Sequence, residues 1–279
     1  MTKMLLDHIK ATGQQKEVIV TFANTGQEHE ETLIFVDRCD REFGFGVVWV
    51  EAAVSPEKGV GVSHRIVDFK TASRNGEPFE AYIKKYGIPN VAYKQCTTRL
   101  KTDPMESYRR TSGWIDHATY LTAVGIRFDE ADRMSFSAMK NLNVFYPLVD
   151  SEVTKDDVVA WWGSQSFKLG IPEQLGNCVW CWKKSMRKLL TIAKDSPEHF
   201  DFPARMEREN SMAGGPRRDG EEKMPRVFFR GNKSTKQLLA EAAKGEFVPF
   251  VDEGFVPFDD ELDVGGGCGA SCEVHSDED

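Results

Sequence analysis

Apolar positions in the first fifty residues follow two alternating spacings. Met1, Met4, Leu5 and Ile9 recur at helical intervals, which predicts an amphipathic helix over residues 2–12. Glu17-Val-Ile-Val-Thr-Phe-Ala23 is a short apolar run suited to a strand buried on both faces, and Asn24-Thr25-Gly26 breaks it. Helical periodicity returns over residues 27–43 through Leu33, Val36 and Cys39. It places Glu28, Glu30 and Glu31 in the first turn, where the helix dipole favours acids. Gly44 and Gly46 end that helix, and Val47-Val-Trp-Val50 predicts a second buried strand. Strand, turn, helix and strand within about 35 residues make a βαβ unit, which requires a parallel pair.

The pattern then predicts a strand over residues 60–69, helices over 78–86 and 103–112, and a strand over 120–125 that runs into an arginine- and acid-rich segment. Thr154-Lys-Asp-Asp157 is a capping signal for a helix through Trp161 and Trp162, and residues 182–194 read as helical. Residues 208–223 are rich in Gly, Pro, Arg and Glu and predict a mobile surface loop. The chain therefore divides into an α/β domain over 1–165, a helical and irregular region over 166–263, and a Gly-, Cys- and acid-rich tail over 264–279.

With 40% hydrophobic and 29% charged residues, the 279-residue chain has the balance needed to bury a core. A net charge of -8 argues against a protein that coats nucleic acid non-specifically, which needs a strong positive field. No stretch approaches the roughly 20 apolar residues of a membrane span. The first 12 residues show no secretory leader, so no membrane association is expected and the cytoplasm is the expected compartment. In that setting the six cysteines point to metal or redox chemistry rather than a disulfide framework.

Four groupings carry candidate chemistry. Asn24, Thr25 and Gly26 stand at the carboxyl end of a strand, where ligands of open α/β sheets lie, although a strand-ending turn also needs glycine for backbone reasons alone. Lys94-Gln-Cys96-Thr-Thr-Arg99-Leu-Lys101 surrounds one thiol with three cations; this suits phosphate contact or thiolate stabilisation, or describes solvated residues at a helix start. Gly125-Ile-Arg127-Phe-Asp129-Glu130-Ala-Asp132-Arg133 offers arginines that grip a phosphate while carboxylates orient them, or a surface ion-pair loop. Cys178-Val-Trp-Cys181 is a C-x-x-C knuckle that supplies half of a tetrahedral metal site. Its partners would be Cys268 and Cys272, with His275 in reserve, or Cys96; four thiolates suit zinc or an iron–sulfur cluster. A dithiol redox pair and a buried structural pair are the alternatives. Trp161, Trp162, Trp180 and Trp182 read either as a base-stacking platform or as core and subunit contact, the latter in a homodimer.

Taken in order, these segments resemble the phosphoadenosine phosphosulfate (PAPS) reductase family of the PP-loop adenine nucleotide α-hydrolase superfamily, in the divergent branch common in phage genomes. Phe22-Ala-Asn-Thr-Gly26 followed by Glu30-Glu-Thr-Leu-Ile-Phe-Val36 is similar to the family's strand, turn and Glu-Thr helix. Val67-Asp-Phe-Lys-Thr-Ala-Ser-Arg-Asn-Gly-Glu-Pro-Phe79 and Gln95-Cys-Thr-Thr-Arg-Leu-Lys101 resemble its middle segments, and Gly125-Ile-Arg-Phe-Asp-Glu130 its Gly-x-Arg-x-Asp-Glu loop. Pro147-Leu-Val-Asp-Ser-Glu-Val-Thr-Lys-Asp-Asp-Val158 and Leu175-Gly-Asn-Cys-Val-Trp-Cys181 continue in register, so the likeness covers residues 1 to about 207.

The resemblance implies a doubly wound, mostly parallel, Rossmann-like sheet with a cysteine-rich C-terminal appendage. It implies an adenine nucleotide (ATP or PAPS) as ligand, and oxidoreductase, sulfurtransferase or ATP pyrophosphatase chemistry: sulfur transfer or sulfonucleotide reduction. Asn24, Thr25, Gly26, Gly125 and Glu130 would line the nucleotide, while Arg99, Lys101, Arg127 and Arg133 would hold its anionic oxygens. Cys96 and Cys272 would be catalytic, and zinc or an iron–sulfur cluster would sit on Cys178, Cys181, Cys268 and Cys272. A thiol reductant or a nucleic-acid substrate would be the partner, in the host cytoplasm for a phage protein. The family's Ser-Gly-Gly-x-x-Ser phosphate loop and its strand have no counterpart ahead of the helix at 2–12, which predicts either a start placed late or a true truncation. Ser271-Cys-Glu-Val-His275 approaches the reductases' Glu-Cys-Gly-x-His motif with a different spacing. Two further readings stay open: nucleic-acid thiolation of the phosphorothioation type, and a non-catalytic nucleotide- or partner-binding protein derived from the same fold.

Overall fold

The computed structural model describes residues 1–216 and 222–251. Cys268, Cys272, His275 and the 264–279 tail lie outside the described residues. The first helix, α1 (Thr2–Ala11), buries none of its side chains; its start lies against Gly125 and its Lys3 ammonium lies 5.9 Å from the Phe43 ring centre. β1 (Val20–Asn24) becomes more buried toward its carboxyl end, where Ala23 and Asn24 are shielded from water. α2 (Glu30–Phe43) is capped by the His29 ring, which accepts from the Glu31 amide, and it ends at Gly44 in the left-handed conformation. Glu28 stands ahead of this helix, not in its first turn. β2 (Val47–Val54) then pairs parallel to β1, from Val20 opposite Val47 to Asn24 opposite Glu51, completing the βαβ unit. Leu33 of α2 packs on Trp49 and Ala72, so this unit has its own apolar layer.

β3 (Val62–Val67) folds back antiparallel on β2, which makes residues 60–69 the return arm of a hairpin. α3 (Glu77–Tyr86) buries Phe79, Tyr82 and Ile83. A π turn over Thr98–Thr102 runs directly into α4 (Asp103–Thr111). The strand predicted over 120–125 contributes only two ladder residues, β4 (Thr122–Ala123); α5 (Phe136–Leu142) follows, and β5 (Val144–Phe145) pairs parallel to β4. α6 (Pro147–Asp150) precedes α7 (Lys155–Gly163), which starts at the predicted capping box on Thr154. Among the described residues three further α-helices follow: α8 (Met186–Asp195), α9 (Asp201–Asn210) and α10 (Thr235–Lys244).

The architecture is α/β, with two parallel strand pairs and one antiparallel hairpin. Among the described residues the strands form two sheets, β1-β2-β3 and β4-β5, and no strand hydrogen-bonds one to the other. Neither α9 nor α10 was anticipated, and α8 starts at Met186 rather than at residue 182. Lys183 and Lys184 remain in the turn before it, because the Lys184 ammonium bonds backbone carbonyls there and Ser185 takes the cap position. The tryptophans separate: Trp180 and Trp182 are core, whereas Trp161 and Trp162 join Phe35, Phe43 and Phe167 in an outer aromatic cluster. No helix among the described residues is long and apolar enough to cross a membrane.

The largest core surrounds Trp180, Tyr82, Phe200 and Phe228 and is contributed mainly by α3, α8, α9 and α10. One wall of it is a backbone clasp beside the segment predicted as a surface loop over 208–223, of which residues 217–221 lie outside the described residues. Helix α9 takes residues 208–210, and Arg226 donates to the carbonyls of Tyr86 and Gly215 while its guanidinium lies 3.4 Å from the centre of the Tyr93 ring. Gly214 has φ of 76°, and a Cβ there would stand 2.3 Å from the Tyr86 carbonyl oxygen. Gly214→Ala is therefore expected to cost about 2–4 kcal/mol, from left-handed backbone strain plus overpacking, measured by urea unfolding.

Candidate functional site

The carboxyl end of β1 is fixed by a buried polar network. Asn24 donates through Nδ2 to Glu51 Oε1 at 2.7 Å and to the Ser73 carbonyl at 2.8 Å, and its Oδ1 accepts from the Gly26 amide at 3.2 Å. Glu51, fully buried on β2, also accepts from the Ser73 amide at 2.6 Å, from the Ser73 hydroxyl at 2.9 Å and from Arg65. Burying a carboxylate is costly unless its lone pairs are satisfied, and here four donors satisfy them. Gly26 takes φ of 77°, with Gly76 backbone atoms 3.0 Å from where a Cβ would be, so glycine is required by both conformation and space.

That turn holds the knuckle. Thr25 donates its amide to Glu28 Oε2 at 2.9 Å; its hydroxyl lies 2.9 Å from both Glu28 carboxylate oxygens and 3.4 Å from Cys178 Sγ. Glu28 and Cys178 form an antiparallel bridge, the Val179 amide donates to the Gln27 carbonyl at 3.0 Å, and the Trp180 indole N–H donates to Gln27 Oε1. Within the knuckle the Cys181 amide donates to the Cys178 carbonyl at 3.0 Å. Lys184, only 6% exposed, donates to the carbonyls of Cys178 (2.8 Å) and Val179 (2.9 Å). A buried ammonium thus ties down the backbone of the knuckle.

The third wall is the π turn. It directs Leu100 into the core and Lys101 toward the knuckle, where the ammonium lies 3.7 Å from the Glu28 carboxylate. Arg99 leaves in another direction, pairing with Asp103 at 2.9 Å and lying 5.3 Å from the Tyr86 ring centre. Lys183 donates to the Thr97 hydroxyl at 3.3 Å. Arg230 donates to the Lys183 carbonyl at 3.1 Å. Burial pushes its guanidinium below the ordinary range, and its charge interaction with Cys181 works the other way.

Between these walls lies a cleft lined by Thr25, Cys96, Lys101, Cys178, Cys181 and Lys183, among others. The cleft is partly open to solvent, and the space within it is about 20 Å³, room for roughly one water-sized group. Three candidate segments, more than 150 positions apart at their extremes (Thr25 to Cys181), therefore share one cleft. Lys183, Lys184 and Glu28 were not singled out from sequence as site residues, and Trp182 was read only as a base-stacking or core residue. A pair of lysines immediately after a C-x-x-C run was the signal available for two of them.

The remaining candidates are elsewhere. Gly125 packs against Met1, while Arg127 pairs with Asp129 at 3.1 Å and Glu130 at 3.2 Å. Arg133 pairs with Glu130 at 2.6 Å. The Arg127 hydrogen bond holds the Asp129 carboxyl below the usual carboxylate range. Gly125, Arg127, Glu130 and Arg133 do not line the cleft. Among the described residues no three His, Cys, Asp or Glu side chains gather to hold a metal ion, and Cys268 and Cys272, the expected partners of Cys178 and Cys181, lie outside the described residues.

The chain is similar to the uncharacterized nin region protein ORF290 of Escherichia phage lambda: 30% identical over 263 residues, covering 93% of this chain and 86% of the relative. Over 119 residues, 43% of this chain, it is also 29% identical to an uncharacterized protein of Methanocaldococcus jannaschii, of which the match covers 19%. No protein-family model and no solved structure matches the chain.

Proposed function

The chain belongs to the family of the phage lambda nin region protein ORF290, and from its site we propose an adenine-nucleotide-dependent enzyme of sulfur transfer or sulfonucleotide reduction, similar to PAPS reductases and built on a Rossmann-like, doubly wound plan. The observation that supports this reading is the cleft at the carboxyl end of β1, where a peptide turn, three thiols and two lysines meet. Ligands of open α/β sheets sit at such ends, and cations fixed beside thiols lower the cost of forming a thiolate and of holding an anionic substrate.

In this reading Lys101 and Lys183 hold the terminal oxygens of the nucleotide, and the small, partly open cleft admits only its terminal group. The rest of the nucleotide lies across the mouth, against the Thr25–Gly26 turn. A thiolate of the cleft then attacks the sulfonate sulfur of PAPS, an S–S bond forms as the S–O bond to the phosphate breaks, and the adenosine bisphosphate leaves with the electron pair. Arg127 and Arg133 contact the nucleotide only if they exchange their acidic partners for its phosphates.

The test is equilibrium binding of ATP and PAPS to the full chain. Wild type is expected to bind at least one of them, and Lys101→Ala to weaken binding about tenfold, the loss of one charge-assisted contact. Absence of binding, or equal affinity in both proteins, would overturn the assignment.

A further inference from the structure

A short motif occurs twice near the end of the sequence. Phe247-Val-Pro-Phe250 is followed by Phe255-Val-Pro-Phe258, and acids trail each copy: Asp252 and Glu253 after the first, Asp259, Asp260 and Glu261 after the second. The second copy lies outside the described residues. The first is described, and its placement shows what such a tetrapeptide binds.

Residues 247–250 lie on helix α8. Phe247 packs against the largest core, with the Lys194 ammonium 5.8 Å from its ring centre, and the Phe250 ring centre lies 4.5 Å from the Lys188 ammonium. Between the rings the Val248 carbonyl accepts from Arg187 at 2.8 Å, and the Phe250 amide donates to the Thr191 hydroxyl at 2.8 Å. Arg187 and Thr191 are each 3% exposed, so both groups that bond the peptide backbone are built into the protein, whereas the Val248 side chain is left in water. Side chains three positions apart share one side of an extended, proline-containing segment, which brings both phenylalanines to the helix. Pro249, which stands between the two bonded groups, has no N–H to leave unsatisfied.

Recognition thus uses two rings, one carbonyl and one N–H, and the second copy offers the same four groups in Phe255, Phe258, the Val256 carbonyl and the Phe258 amide. Charge favours it as well. Arg187, Lys188 and Lys194 stand along this part of α8, and where the first copy continues with Val251 the second continues with Asp259.

We infer that this face of α8 is a docking seat for Phe-Val-Pro-Phe peptides, and that it takes residues 255–258 of the same chain in exchange for residues 247–250. The inference is independent of the nucleotide reading above. Only residues 251–254 separate the copies, so the second is tethered at high effective concentration, an advantage that a copy from another molecule lacks. The exchange loops out residues 246–254, and the cost of closing a loop grows slowly with its length. Its consequence is a change of reach. Cys268 stands 18 residues beyond Phe250 but 10 beyond Phe258. Seating the second copy therefore shortens the maximal span from the seat to that thiol by about 26–29 Å.

The experiment compares urea unfolding of the full chain in three variants: Phe247→Ala with Phe250→Ala, Phe255→Ala with Phe258→Ala, and all four together. Either pair alone is expected to change the folding equilibrium constant little, since the other copy fills the seat. The fourfold variant should lower it about tenfold or more beyond either pair, the worth of one partly buried ring. In the first variant the Phe258 amide should also gain about tenfold protection from hydrogen exchange, as it takes up the Thr191 hydroxyl. A first pair that costs as much as all four, a fourfold variant that costs no more than the first pair, or a Phe258 amide whose exchange is unchanged would overturn the inference. A midpoint of the first variant that rises with protein concentration would mean docking between molecules, and would overturn the intramolecular assignment.

Discussion

Glu51→Ala is expected to lower folding stability by about 3–5 kcal/mol, the cost of removing one side of a buried, fully bonded ionic group. The carboxylate accepts from Asn24, from the Ser73 amide and hydroxyl, and from Arg65. Deleting it strands one N–H of the Asn24 amide, whose other N–H stays on the Ser73 carbonyl, and the Ser73 N–H away from water, each worth about 1–3 kcal/mol when left unsatisfied. Arg65→Ala should cost much less, about 1 kcal/mol, because the arginine side chain is 58% exposed and the other donors to Glu51 remain. Denaturant unfolding of the two single variants separates them. Equal losses would show that the ion pair, and not the Asn24–Ser73 network, carries the stabilisation. The same variant should loosen the turn that carries Thr25, because Asn24 holds the Gly26 amide and is itself held by Glu51.

Trp180→Ala is expected to be of similar size, about 3–5 kcal/mol, by the cost of emptying a tryptophan-sized site in a packed core. The ring lies 4.9 Å from Phe228, 5.2 Å from Phe79 and 5.6 Å from Phe202, centre to centre, and is 1% exposed. Trp180→Phe should recover most of the loss while leaving Gln27 Oε1 without its donor, a residual of about 1–3 kcal/mol. Urea midpoints at constant slope give both numbers. Because Cys178 and Cys181 flank this ring in the chain, the alanine variant should also raise the rate at which those thiols react with a bulky alkylating reagent.

The βαβ unit was legible because its signals agree at every level: apolar runs, a turn that needs positive φ, and a helix stop at Gly44. The strand at residues 120–125 was placed correctly, but its pairing length was not readable, since periodicity does not report how many backbone groups find a partner. Helix α10 carried a usable signal in Ser234 and Gln237, a capping box that the structure forms. In the site, sequence order placed candidate residues in separate segments without saying which would meet. Thr25, Cys96, Lys101, Cys178 and Cys181 do meet. Arg127 and Arg133 follow a strand in the other sheet and pair with nearby acids. Arg99 and Lys101 looked equivalent as cations two positions apart, and only the local winding of the chain separates them.

That winding has a consequence of its own. A π turn is a helix that accommodates one residue more than its neighbours' ladder, and each residue of a regular helix advances about 100° around the axis. Deleting one residue from Thr98–Thr102 would leave composition, charge and helical character nearly unchanged, yet it would rotate everything upstream relative to α4 by more than a quarter turn. Leu100 and Lys101 would then exchange interior and cleft for unsuitable surroundings. At this point the chemistry is encoded as a count of residues, and a length change is more damaging there than most substitutions.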